Sequence, residues 1–140
     1  MSYQTRANAY RENSVMSMSR EELVPLMYEH LLIGLKRASK QMEEGDIEGK
    51  AASIEKVSGI LYELLGSLNF EEGGEIASRL ASLYGYFLKE VTEASRTLDP
   101  KRLEPLIEMV TSLHEAWVEV TKANPGSGTP DGGGAGEEWR

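Results

Sequence analysis

The sequence contains no cysteine. That absence excludes disulfides, thiolate nucleophiles and sulfur-ligated metal sites, and it is compatible with a reducing compartment. Basic residues are in deficit: 15 Lys and Arg against 23 Asp and Glu leave a formal net charge of -8 and a pI near 4.9. Phosphate recognition draws its affinity from lysine and arginine, so this balance argues against a nucleic-acid partner and disfavours anionic membranes. No apolar run approaches the roughly 18 residues that cross a bilayer, so no membrane insertion is expected. The opening MSYQTRANAYRENS lacks the apolar stretch of a signal peptide, which leaves the cytoplasm as the expected location.

What is present is helix punctuation. Ser19-Arg20-Glu21-Glu22 has the form of a capping box, so a first helix should start at about Arg20. Gly45 can close it in the left-handed conformation and Asp46 can cap the next. A second helix then runs to about Leu68, where Asn69 to Gly74 breaks the pattern, and Glu75 and Ile76 open a third. Asp99-Pro100 ends the third near Leu98 and starts a fourth, which stops before Asn124-Pro125.

Apolar residues step by three and four along each segment. The seams are Ile54, Val57, Leu61, Leu64 and Leu68; Leu80, Tyr84, Phe87, Val91, Ala94 and Leu98; and Leu103, Leu106, Val110, Leu113, Trp117 and Val120. On the first helix the stripe reads Leu23, Met27, Leu31, Ala38 and Met42, with Leu35 at its edge. Helices of similar length joined by short turns predict an all-α, antiparallel up-down four-helix bundle over residues 19–123. Residues 1–18 form an N-terminal segment expected to lie on the bundle, because Tyr3, Tyr10, Val15, Met16 and Met18 give it more apolar content than a simple leader. Residues 124–140 read as a glycine-rich flexible tail in which Trp139 is the one side chain able to anchor.

Catalytic patterns are missing. A di-iron bundle needs two Glu-x-x-His motifs, but Met27 and Thr111 stand three before His30 and His114. His114-Glu115 begins like a zinc-protease motif and then places Val118 where the second ligand belongs. Gly73-Gly74 is not followed by Gly-Lys-Ser/Thr, and the paired glutamates sit at helix ends without apolar cover. The chain is therefore read as a binding protein, not an enzyme, with no cofactor and no metal.

The positive feature is apolar residues off the seams. At roughly 100° per residue, Leu26 and Ile33 fall more than about 100° from the first stripe, among Glu22, Glu29 and Lys40. Tyr28 spreads the apolar surface the other way, and Tyr62 and Tyr86 lie about 120° from their own seams. Scattered apolar residues are normal on any surface. Several on neighbouring helices, beside a tyrosine- and methionine-bearing N-terminal segment, predict a groove for a partner helix. The expected partner-facing residues are Tyr10, Val15, Leu26, Tyr28, Ile33, Tyr62 and Tyr86.

In order along the chain, Ala9-Tyr10, Ser14-Val15, Ser17-Met18-Ser19, Glu22-Leu23-Val24, Leu26-Met27-Tyr28, Gly45-Asp46, Gly73-Gly74-Glu75-Ile76-Ala77, Leu83-Tyr84-Gly85-Tyr86, Glu93-Ala94-Ser95 and Glu115-Ala116-Trp117 resemble the FliS family of flagellin-specific export chaperones. Met18, Arg20, Gly85 and Ser95 depart from residues common in that family. The resemblance implies a cytoplasmic bundle that binds the disordered C-terminal region of flagellin, prevents premature polymerisation and presents the subunit to a flagellar export-gate protein. It also implies that the segment around Tyr10 covers the groove. The main alternative is a self-associating helical adaptor or structural bundle, a homodimer without client, in which the off-seam residues meet a second copy.

Overall fold

The computed structural model describes residues 20–123. The segments 1–19 and 124–140 lie outside the described residues, and with them the expected Ser19 cap, the N-terminal packing and the tail. Helix α1 spans Arg20–Glu44 and starts where the capping pattern predicts. Gly45 follows at φ 76°, the left-handed turn that glycine takes without a Cβ clash. The Asp46 carboxylate then accepts the Gly49 amide at 3.0 Å and opens α2, Ile47–Gly66.

The next junction differs from expectation. Helix α3 spans Phe70–Thr97 and begins five residues before Glu75, because the Asn69 side chain accepts the Glu72 amide at 3.0 Å and so supports a first turn. The glycine pair acts inside the helix: Gly74, at φ 52° and ψ -124°, kinks α3 in a conformation open to glycine. Leu98 closes α3 at φ 55°. Asp99 accepts the Lys101 amide, and Pro100–Leu103 forms a 3₁₀ turn before α4, Glu104–Ala123.

These four antiparallel helices enclose one core. α1 packs along α2 and α4, and α2 packs along α3, while α3 meets α4 mainly through the 3₁₀ turn. At the α1–α2 interface Gly34 permits close approach, since a Cβ there would stand 2.7 Å from Val57 Cγ2. Buried Ser53 keeps a partner by bonding the Gln41 side chain at 2.7 Å. The expected seams of α2, α3 and α4 are buried through Val57, Leu61, Leu64, Tyr84, Phe87, Val91, Leu106 and Val110. Leu98 and Val120, at helix ends, are exposed instead.

The seam of α1 is set differently. Val24, Tyr28, Leu31, Leu35, Ala38 and Met42 are buried, whereas Leu23 and Met27 are half-buried. The helix is rotated by roughly 40° from the expected stripe, at about 100° per residue. Tyr28, expected on the partner-facing surface, is 0% exposed. Its hydroxyl lies 2.6 Å from that of Tyr84, and the Trp117 side chain offsets part of the effect of burial on it. One polar contact thus ties α1 to α3 inside the apolar core.

Burial holds both tyrosine hydroxyls above their ordinary range, and for Tyr84 the adjacent Tyr28 adds to the effect. Ionisation is therefore favoured by unfolding: the contribution to stability is full below the unfolded value of 10.0 and is lost progressively as pH rises beyond it. Urea unfolding should show stability falling above about pH 10, with a weaker fall in the Tyr28→Phe/Tyr84→Phe double variant. At neutral pH, Tyr84→Phe alone should cost about 1–2 kcal/mol.

Candidate functional site

Of the residues expected to face a partner, Tyr10 and Val15 lie outside the described residues, and Tyr28 is in the core. Leu26 and Ile33 sit almost opposite the α1 seam, Leu26 half-buried and Ile33 50% exposed. Tyr62, at 64% exposure, stands on the edge of α2 that faces α3. Tyr86, 43% exposed, stands on the far edge of α3, towards α4. The structure does not gather them into one groove. It spreads them over three sides of the bundle.

Helix α3 is flanked by two strips that carry apolar residues, and the one towards α2 is uncharged. On the α2 side, Lys50 donates to Ser95 Oγ at 3.0 Å and to the Ser95 carbonyl at 3.3 Å, which fixes the register of the two helices. From that point α2 presents Ala51, Ile54, Ser58, Tyr62 and Leu65, and α3 presents Thr92, Leu88, Gly85 and Ala81. Ile54, Leu65 and Leu88 are half-buried against the core. A Cβ on Gly85 would meet nothing within 4 Å, so the strip is open there. None of these nine side chains carries a charge.

On the α4 side, Arg102 bonds Glu90 at 3.1 Å across the 3₁₀ turn. Beyond this pair, α3 shows Leu83, Tyr86 and then the Arg79–Glu75 ion pair at 2.9 Å, and α4 shows Met109, Ser112, Leu113 and Ala116. Leu83, Met109 and Leu113 are half-buried. The backbones of α3 and α4 approach most closely near the 3₁₀ turn. Ile54 and Leu113 were read as seam residues, and the sequence reading missed Leu65, Leu88, Leu83 and Met109. They lie roughly 60–80° from the seams, a phase visible on a helical wheel, but only the neighbours' positions show which flank meets which helix.

Among the described residues no three His, Asp or Glu side chains converge as metal ligands would. His30 is exposed on α1, while His114 on α4 lies 3.4 Å from Glu29. The Arg96 guanidinium, 2.7 Å from Glu93, holds that carboxyl below its ordinary range, the reverse of what a general acid needs. The surface is equipped for contact with apolar side chains.

The family model described as Flagellar protein FliS matches residues 2–124. The chain belongs to the FliS family. It is 31% identical to the flagellar secretion chaperone FliS of Campylobacter jejuni, over 81% of this chain and 88% of that protein. It is 30% identical to the Salmonella typhimurium flagellar secretion chaperone FliS, over 79% of this chain and 82% of the relative. The Bacillus subtilis chaperone of the same name is 26% identical over 88% and 91% of the two chains. FliS is a chaperone family, not an enzyme family. No helix among the described residues is long and apolar enough to cross a membrane.

Substitution separates the outer face of α1 from its seam. Ile33→Asp should leave far-ultraviolet circular dichroism unchanged and shift unfolding by no more than about 0.5 kcal/mol. Tyr28→Asp places an unpaired charge in the core and should cost about 3 kcal/mol or more.

Proposed function

We propose that this chain is a flagellar export chaperone that binds the disordered C-terminal region of flagellin in the cytoplasm. Binding there would prevent premature polymerisation until the subunit is handed to an export-gate protein. Membership of the FliS family supports the export role. The observation that carries the client reading is the uncharged strip between α2 and α3. From Ala51 to Leu65 it runs about 21 Å at 1.5 Å per residue, room for roughly four turns of a docked helix. Half-buried Ile54, Leu65 and Leu88 form its floor and exposed Tyr62 its rim.

An amphipathic segment placing apolar residues at i, i+3, i+4 and i+7 along this strip would bury them against that floor. The outward Leu26 and Ile33 on α1 give a longer client a second place to rest. A segment that folds as it binds can wrap such a dispersed surface, and the ordering entropy keeps its affinity moderate. Moderate affinity suits a cargo that must later be released. Tyr10, Val15, Ile33, Tyr62 and Tyr86 belong to the proposed contact surface, with the strip residues added.

Calorimetry with the C-terminal segment of flagellin tests the reading. A one-to-one complex with a negative heat-capacity change is expected, and Tyr62→Asp should weaken it about tenfold or more without loss of helix content. Absence of binding, together with a strip closed by a second copy of the chain in light scattering, would support the self-associating bundle in its place.

A further inference from the structure

The strip between α2 and α3 has a period as well as a surface. Ala81, Gly85, Leu88, Thr92 and Ser95 step by four and three along α3. Ile47, Ala51, Ile54 and Ser58 do the same along α2, with Leu65 following at the heptad distance from Ser58. Such spacing is that of the a and d positions of a coiled coil. It forms a second seam, outward of the one that faces the core: Ile54 and Leu88 are half-buried on its inner side, while Ala51, Gly85 and Thr92 are exposed. Ile47, 50% exposed, extends it by one turn past the Lys50–Ser95 bond.

The residues bordering this seam are charged, and each edge has its own sign. Glu48 and Glu55 border it on α2, and Lys89 and Arg96 border it on α3. All four are exposed. On a helical wheel they lie roughly 20–40° beyond Tyr62 and Gly85, the outermost residues of the strip. Each pair repeats at the heptad spacing, about 10.5 Å along its helix, so each edge is a line of charge and not a point. The bond from Lys50 to Ser95 sets the antiparallel levels, which brings Glu55 to the height of Lys89 and Glu48 to that of Arg96.

Among the described residues no ion pair joins the two edges. Glu48 and Glu55 take part in none. Arg96 is paired with Glu93 on its own helix at 2.7 Å and keeps its side chain 67% exposed, and Lys89 acts on the same carboxylate through its charge. The α2 edge is therefore acidic and the α3 edge basic, with the uncharged seam between them.

On the reading that the strip receives a client helix, we propose that these two edges fix the direction in which that helix lies. The partner that fits is an amphipathic helix with an apolar seam on heptad spacing. It carries basic residues on the flank towards α2 and acidic residues on the flank towards α3, repeated at the same interval. Turned end for end, the same helix exchanges its flanks and meets like charge on both edges. The seam itself gives little preference, because small residues alternate with Ile and Leu on α2 and with Leu on α3. Flanking charges are the positions that set partner choice and orientation in such packing. Being exposed, they discriminate between orientations more than they add affinity.

Calorimetry and paramagnetic NMR with the C-terminal segment of flagellin, spin-labelled at one end, test the proposal. The segment is added to the full chain, to Glu48→Lys/Glu55→Lys, to Lys89→Glu/Arg96→Glu and to the chain with all four substitutions. Helix content should not change, since all four side chains are exposed. In the unsubstituted chain, broadening should fall at one end of the strip, either at Ala51 and Thr92 or at Leu65 and Ala81, and not at both. Inverting one edge should weaken binding on the order of tenfold, and added salt should erode the difference between the variants. Inverting both edges should restore affinity and move the broadening to the opposite end. Unchanged affinity in both single-edge variants, or broadening that stays in place when both edges are inverted, would overturn the directional role and leave the client reading standing. No binding to the unsubstituted chain would overturn the client reading and the directional role with it. Light scattering without the segment reads the competing occupant: a dimer that either inversion breaks, while the segment's affinity is unchanged, would assign the seam to a second copy.

Discussion

Everything on the outside of this bundle depends on one contact inside it. The Tyr28 hydroxyl, bonded to that of Tyr84, pins the rotation of α1 relative to α3. A buried hydroxyl without a partner costs far more than a satisfied one returns, so rotating α1 by even one side chain would take from the buried Tyr84 hydroxyl its bond to Tyr28. With that rotation fixed, Leu26 and Ile33 can only point outward. The same constraint holds Tyr84 inward and therefore sets Tyr86, two residues on, towards the α4 side of α3.

Much of the architecture could be read from the residues. Gly45 and Asp46 act in the turn as their chemistry requires, and the step pattern of α2, α3 and α4 names most of the core. The first stripe failed for a physical reason. Apolar residues cover about half of the α1 circumference, from Leu23 and Met27 through Val24, Leu31 and Leu35 to Leu32, so spacing alone leaves its centre undefined. What defines it is a hydrogen bond between tyrosines 56 positions apart, which no local pattern contains. The third helix was misjudged in a related way: the Asn69 cap and the Gly74 kink were both legible as signals, but their order of strength was not.

The surface was less legible than the core. Exposed residues such as Tyr62 and Ile33 follow from wheel phase alone, yet a groove needs two helices, and the pairing of flanks is a tertiary fact. Lys50 reaching Ser95 and Arg102 reaching Glu90 show which flank of α3 meets which neighbour. Once these are known, the uncharged strip on the α2 side of α3 emerges from half-buried residues that a search for fully exposed ones passes over. A surface of this kind suits a secretion chaperone. It offers apolar contact in several shallow places instead of one deep pocket, so a client can be held along its length and still leave.

The central claim is that the α2–α3 strip receives the client. The most direct measurement is a map of amide and methyl shifts in the bundle as the C-terminal segment of flagellin is added. The account predicts that the largest changes run along Ile54, Ser58, Tyr62 and Leu65 on α2 and along Ala81, Gly85 and Leu88 on α3. Changes absent from these two lines of residues and concentrated on another face would contradict it.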